Sequence, residues 1–241
     1  MAQVPGANNI NGGVLLALSG LTNIKMGPKN NTLLVSPGLR WIDVYEFLEP
    51  YGRVAIGGRM KTIGVPGLTL IGGVHYFINK YGYAMDNVVS YDVVLGNGTQ
   101  VTATSASHSD LFWALKGGAN NFGVVTSFTL KTFEIPRVSA TYQEFNESAV
   151  AAFFKATCDL SKADDETVAA GSIIDIAYNS TTKAVSPLLL GVQAGTENPP
   201  SRFANFSAIP AVNRFYNVTT LAQWSSTLDT PFQESRYVSS E

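Results

Sequence analysis

The first third of the chain alternates short apolar runs with glycine, asparagine and proline, a pattern typical of β-strands joined by turns. Residues 12–21 and 31–38 are two such runs, and we expect both to be strands. Apolar residues recur at helical spacing over 40–52, which predicts a helix closed by its last glycine. Residues 53–58 predict a strand that enters a glycine-rich loop.

The next segment contains the clearest hairpin, at 88–105, where two β-branched runs flank a Gly-Asn-Gly turn. A short helix over 108–118 follows, and Ser109 is its expected cap. Alternating residues over 121–133 predict another strand.

After Pro136 glycine becomes less frequent, and longer amphipathic segments replace the short runs. The pattern predicts strands and helices in turn: strands at 138–145, 168–179 and 184–195, and helices at 147–161 and 199–209. This change of character predicts a domain boundary near 134–138.

The amino-acid composition argues against several classes of function. The 241 residues carry a formal net charge of −2 and only 14% charged residues, so the chain lacks the basic footprint of a nucleic-acid or membrane-surface protein. No apolar run reaches the ~18 residues needed to span a bilayer. One cysteine and two histidines argue against a disulfide framework or a Cys- or His-rich metal site. Cys158 is expected to be a small core residue of the predicted helix.

Six N-x-S/T sequons occur in the chain. They begin at Asn30, Asn97, Asn146, Asn179, Asn205 and Asn217. A secretory history explains them, and so does a surface rich in Asn, Ser and Thr. The N-terminus has no pattern of a charged segment followed by an apolar one, as a signal peptide would.

The stretch "GGRMKTIGVPGLTLIGG" (57–73) is the first candidate for chemistry. It matches neither the Walker A loop nor the G-x-G-x-x-G fingerprint. Successive glycine amides nevertheless form a concave donor array that binds phosphate, and Thr69 is expected to add a hydroxyl. The alternative is a glycine-rich turn that serves tight packing only.

The second candidate is "DLFWALKGGANNFGVV" (110–125). Its glycines leave bare backbone against which a planar ring can lie. An ordinary helix cap followed by a glycine in a strand explains the same residues.

Together the two stretches carry a family resemblance. The order "GVxGLTLxGG…YGYAxDNVVSYDVVLGNGTQVTAT…HSDLFWALKGGANNFGVVTSFTLKTF" closely resembles the FAD-binding PCMH-type domain of the vanillyl-alcohol-oxidase superfamily, in its berberine-bridge-enzyme-like branch. The resemblance covers about residues 6–136. It implies an α+β fold, with a PCMH-type FAD-binding domain over 1–136 and part of an antiparallel-sheet substrate domain over 137–241.

The resemblance also implies a cofactor site. FAD pyrophosphate is expected at the glycine loop, Asp86 and Asn87 continue the site, and the second stretch lies against the adenosine half. The implied cofactor-binding residues are Gly64, Val65, Gly67, Leu68, Thr69, Gly72, Gly73, Asn87, Gly118, Gly123 and Val125.

Several positions depart from the family pattern. The upstream segment with a flavin-linking histidine is absent from the sequence, and Met60 stands where bicovalent members carry the linking cysteine. Pro66 removes an amide donor, and Ile71 adds a side chain where the family has glycine. His75 is a candidate to face the flavin and titrate near neutrality, the alternative being a half-exposed histidine on a turn.

The implied activity is oxidation of a small organic molecule by FAD, with reoxidation by O₂, in a monomer whose relatives are secreted. Tyr142 and Tyr178 lie in early strands of the second half, but no motif marks either as a catalytic base. Three interpretations remain: a fragment of a working oxidase, a non-catalytic paralogue, and a glycine-rich β scaffold without cofactor. The substrate is not identified by the sequence.

Overall fold

The computed structural model describes residues 11–163 and 167–228. The strands are β1 (Ile24–Met26), β2 (Thr32–Val35), β3 (Arg53–Val54), β4 (Val88–Val94), β5 (Gln100–Thr104), β6 (Val124–Lys131), β7 (Phe133–Glu134), β8 (Val138–Glu144), β9 (Ala170–Tyr178), β10 (Val185–Ala194) and β11 (Asn213–Thr219). The helices are α1 (Trp41–Leu48), α2 (Val65–Thr69), α3 (Ile78–Tyr81), α4 (Ser109–Ala114), α5 (Val150–Lys162), α6 (Ala204–Ser207) and α7 (Leu221–Thr227). This mixture of helices and antiparallel sheets is the α+β class that the sequence predicts.

The first half forms a five-stranded antiparallel sheet in the order β1-β2-β6-β4-β5. The predicted hairpin over 88–105 is confirmed as β4 and β5, which pair from Ser90↔Thr104 to Val94↔Gln100. The predicted strand over 12–21 is wrong. Val14, Leu15 and Leu16 are exposed and pair with no strand in the described part of the chain, because the neighbour of β2 on that side is β1.

Helix α1 confirms the helical pattern over 40–52. It buries Trp41, Val44 and Leu48 in the main hydrophobic core, and a 3₁₀ turn over Glu49–Tyr51 follows it. Gly52 then adopts a φ of +62°, a conformation that costs glycine little and reverses the chain into β3.

Helix α4 confirms the predicted helix over 108–118, but its expected cap is wrong. His108, with a φ of +50°, holds the cap position, and Ser109 is the first helical residue. No side chain accepts a hydrogen bond at this cap.

The second half forms a four-stranded antiparallel sheet in the order β11-β8-β10-β9. Helices α5 and α6 cover one face of it, where Phe153, Phe206 and Leu189 form a small core. The expectation that Cys158 belongs to that core is wrong, because it lies on the exposed face of α5. The buried stripe of this helix consists of Phe153 and Ala156.

The segment after the glycine loop fastens the two halves together. Asn79 donates its amide to the carbonyl of Val168 at 2.8 Å and accepts the amide of Ala170 at 3.2 Å. Gly171 passes so close to Tyr76 that a Cβ there would overlap the Tyr76 carbonyl. These contacts place β9 directly against residues 76–79.

Within residues 11–163 and 167–228, no helix has the length and apolar character needed to cross a bilayer. The same described residues contain no cluster of three or more His, Cys, Asp or Glu side chains suited to a metal ion.

Candidate functional site

The glycine stretch folds into one short helix followed by a sharp turn. Gly64 lies just before α2, and Pro66 occupies its first turn, where an amide has no partner within the helix. Gly72 and Gly73 follow with φ values of +113° and +85°. Two consecutive left-handed residues require glycine, so this turn explains the pair directly.

Backbone hydrogen bonds join the three stretches that the sequence assigns to one site. The amides of Met85 and Ala84 donate to the carbonyls of Gly72 and Gly73, each at 2.9 Å. The amide of Ala119 donates to the carbonyl of Leu70 at 3.0 Å. The glycine turn, the 84–87 segment and the 117–123 loop therefore form one continuous backbone surface.

The site offers amide donors and open space. Among the described residues, the amides of Gly67, Gly72 and Gly73 have no hydrogen-bond partner. Gly67 is exposed, and a Cβ built on it would meet no atom within 4 Å. Only Gly67 adjoins unfilled space, because Gly72 is buried and Leu68 and Ala84 occupy the position of a Cβ on Gly73. Unpaired glycine amides are the donors that an anion such as a pyrophosphate needs, so the residues fit this part of FAD.

Three predicted site residues direct their polar groups or side chains elsewhere. The hydroxyl of Thr69 is buried and donates to the carbonyl of Val65 at 2.7 Å, so the expected hydroxyl donor is not available. Val65 is a core residue, and its amide donates to the carbonyl of Leu39 at 3.0 Å. Leu68, half-buried, packs its side chain beside Gly73.

Asn87 is buried and stabilises the backbone behind the site. Its side-chain amide donates to the carbonyls of Tyr81 and Tyr83, each at 2.9 Å. These bonds hold the 81–87 turn closed. Asn87 thus supports the backbone that carries Ala84 and Met85 to the glycine turn.

In the second stretch, Gly118 and Gly123 lie where a side chain would not fit. A Cβ on Gly118 would overlap Phe122 and the carbonyl of Ala114. Gly123 has a φ of +151° and lies against the carbonyl of Val94. Val125 buries its side chain in the core and pairs with Val93, while β2 begins to pair with β6 only at Phe128. Within the described residues, no strand pairs with this edge of β6 before that point.

The side chain of Ile71 is 64% exposed and points away from the core. Met60 is half-buried and has no thiol to offer a flavin. Neither residue distorts the glycine turn, whose hydrogen bonds to Ala84 and Met85 are intact.

His75 contradicts both expectations for it, because it is only 1% exposed. Burial, followed by the positive charge of Arg59, lowers its pKa from the ordinary 6.5 to about 3. The amide of Phe77 donates to Nδ1 at 3.1 Å, which assigns the proton of the neutral ring to Nε2. His75 is therefore a neutral core residue and does not titrate near neutrality.

Neither tyrosine considered for catalysis has the setting of a base. Tyr178 is exposed at the end of β9. Tyr142 stacks on Phe215 with ring centroids 5.3 Å apart, and its hydroxyl donates to Glu144 at 3.3 Å. Burial, followed by the negative charge of Glu144, raises the pKa of Tyr142.

Sequence reasoning missed Arg59. It follows the buried pair Gly57-Gly58, whose backbone packs against the ring of Trp41. Its guanidinium reaches the carbonyl of Ser172 on β9 at 3.4 Å. The sequence signal that could have identified Arg59 was a positively charged residue within a glycine-rich stretch.

Sheet, glycine turn and unpaired amides together define a nucleotide-cofactor-binding α+β protein. Residues 3–104 match the family described as FAD binding domain. The chain is 36% identical over 218 residues to the FAD-dependent monooxygenase prx3 of Penicillium roqueforti, covering 89% of this chain and 43% of that protein. The chain thus spans less than half the length of this curated relative.

Solved structures share the fold. The 6-hydroxy-D-nicotine oxidase of Arthrobacter nicotinovorans superposes with a TM-score of 0.82 at 22% identity, covering 93% of this chain and 51% of that one. BBE-like 1 of Physcomitrella patens superposes with a TM-score of 0.73 at 24% identity, covering 84% of this chain and 44% of that one. Residues 3–104 therefore form an FAD-binding domain with FAD as its cofactor, and the fold of the chain is that of the vanillyl-alcohol-oxidase/PCMH flavoproteins.

Proposed function

We propose that the chain is the FAD-binding part, with a portion of the substrate sheet, of an FAD-dependent oxidoreductase that oxidises a small organic molecule. The observation that carries the proposal is the continuous backbone surface formed by the glycine turn, residues 84–87 and residues 117–123. The relative prx3 is called an FAD-dependent monooxygenase, which supports a flavin oxidoreductase.

The residues of this chain bind and orient the cofactor. The unpaired amides at Gly67, Gly72 and Gly73 would hold the pyrophosphate, with Gly64 and Leu68 beside them. The backbone at Gly118, Gly123 and Val125 would lie beside the adenosine half. A flavin held there would supply a hydride acceptor for the substrate, and we propose O₂ as the oxidant that regenerates it. We assign no catalytic base, and we propose that the protein works as a monomer.

The first test is the visible absorption spectrum of the purified chain before and after FAD is added and excess cofactor is removed. We expect flavin bands near ~370 and ~450 nm to remain with the protein. A protein that stays colourless at saturating FAD would contradict the proposal. Mixing the dithionite-reduced, FAD-loaded chain with aerated buffer then tests reoxidation by O₂.

A second candidate is a paralogue that binds FAD without turning over a substrate. Pro66 and Ile71 favour it, because both replace residues that are glycine in the family pattern. Retained flavin that air reoxidises no faster than free reduced flavin supports this candidate.

We also propose that the protein is secreted and glycosylated. All six sequon asparagines are exposed in the structure, and Asn97 and Asn179 lie in hairpin turns. With an added signal peptide in a eukaryotic host, the chain is expected to migrate as larger bands that a peptide N-glycosidase collapses. Asn97→Gln is expected to remove one step of the shift. Secreted chain at the unmodified mass would refute glycosylation.

A further inference from the structure

Arg59 is a half-buried cation with no negatively charged partner among the described residues. Its only hydrogen bond within the described residues is the 3.4 Å contact from Nη1 to the carbonyl of Ser172. No carboxylate in residues 11–163 or 167–228 forms an ion pair with it. A guanidinium has five N–H donors, so most of its donor capacity is unused in this setting.

Other part-buried arginines of the chain are well satisfied. Arg53 donates to the hydroxyl and the carbonyl of Thr132, both at 2.8 Å. Arg214 donates to Gln143 at 3.0 Å and to two carbonyls at the end of α6. A partly desolvated charge is costly unless it is paired and hydrogen-bonded, so the position of Arg59 calls for a counter-charge.

The groups around Arg59 supply no such charge. His75 is held neutral, as described above. Burial raises the pKa of Tyr76, whose hydroxyl accepts a hydrogen bond from Trp224 Nε1 at 3.4 Å, so Tyr76 is also neutral at physiological pH. Among the described residues, no negative group therefore balances the charge of Arg59 where residues 57–59 meet β9.

We propose that Arg59 is an anion-binding residue and that its ligand is a carboxylate on the small-molecule substrate. A guanidinium binds a planar oxyanion through two parallel hydrogen bonds, which gives orientation as well as affinity. The contact with Ser172 places Arg59 against the second sheet, whereas the glycine turn that is assigned to the pyrophosphate is fastened to residues 84–85 and 119. The placement of a substrate at Arg59 rests on the proposed function, because a substrate must contact the cofactor between the glycine turn and the second sheet.

Benzoate serves as the carboxylate probe, and its dissociation constant is measured by calorimetry on the FAD-loaded chain and on the chain as purified. Arg59→Gln is expected to weaken benzoate at least tenfold. Arg59→Lys keeps the positive charge but lacks the two parallel N–H donors of a guanidinium, so we expect an intermediate loss of benzoate affinity. Arg137→Gln is the matched control, since this exposed arginine also touches a single carbonyl, that of Val218 at 3.5 Å, and we expect no change.

FAD and riboflavin, which lacks phosphate, separate the two sources of the anion. Equal FAD affinity in the wild type and Arg59→Gln, with benzoate weakened, supports the substrate carboxylate. An Arg59→Gln variant that loses FAD but not riboflavin assigns the anion to the cofactor phosphate and overturns the proposal. Equal or undetectable benzoate binding in all variants also overturns it. Benzoate binding that depends on Arg59 in a chain that never retains FAD would instead defeat the proposed function alone.

Discussion

Gly67→Val is expected to weaken FAD binding about 10- to 100-fold while the melting temperature of the chain without cofactor stays unchanged. Gly67 is exposed, its φ is outside the left-handed region, and the space around its Cβ position is open. A valine is therefore accommodated by the protein, but it occupies the space in which the pyrophosphate is proposed to lie. Overpacking of this kind costs about 1–3 kcal/mol, and each 1.4 kcal/mol is a tenfold change in affinity.

The measurement is quenching of FAD fluorescence on titration with protein, together with thermal unfolding of both proteins. Gly96→Val is the matched control, because Gly96 is also exposed, has open space at its Cβ position and lies in the β4–β5 turn. We expect the control to bind FAD like the wild type. Unchanged affinity in Gly67→Val would remove Gly67 from the proposed site.

His75→Asn is expected to reduce the loss of stability in acid by about 3 kcal/mol between pH 7 and pH 4. The pKa of His75 is about 3 in the folded chain and 6.5 when unfolded, so below pH 6.5 the unfolded state binds a proton that the folded state does not. Stability from the neutral ring is complete above pH 6.5 and is lost as pH falls toward 3. Each pH unit across this window is worth about 1.4 kcal/mol.

Asparagine keeps an oxygen that can accept the Phe77 amide, and it does not titrate in this range. The measurement is urea unfolding at pH 7, 6, 5 and 4, compared among the wild type, His75→Asn and His108→Asn. His108 is exposed, so its variant controls for the loss of a histidine elsewhere. The same pH dependence in His75→Asn and in the wild type would show that the ring is not buried as the structure places it.

Local signals predicted much of the fold. Helix α1 and the β4–β5 hairpin depend on spacing and turn chemistry within about fifteen residues, and both are confirmed. The strand expected over 12–21 was wrong because a strand exists only beside a partner, and composition does not reveal the partner. Strand β11 was missed for a related reason, since its residues alternate between exposed and half-buried at the edge of a sheet.

The glycine stretch was predicted as a donor array, and its backbone supports that interpretation. Side-chain orientation was not predictable. Thr69 lies on the buried face of α2. The only sequence signal for this helix is Pro66 in its first turn. His75 stands between Val74 and the buried pair Tyr76-Phe77, but a single sequence does not show which of these side chains enter the core.

The three tryptophans differ in burial, so their fluorescence reports separately on the core and on the surface. Trp41 and Trp224 are almost completely enclosed, whereas Trp113 is 79% exposed on α4. In Trp113→Phe, emission comes only from indoles inside the core and reports global unfolding. The difference from the wild-type spectrum isolates an indole five residues before Gly118, close enough to register changes in that loop without any attached dye.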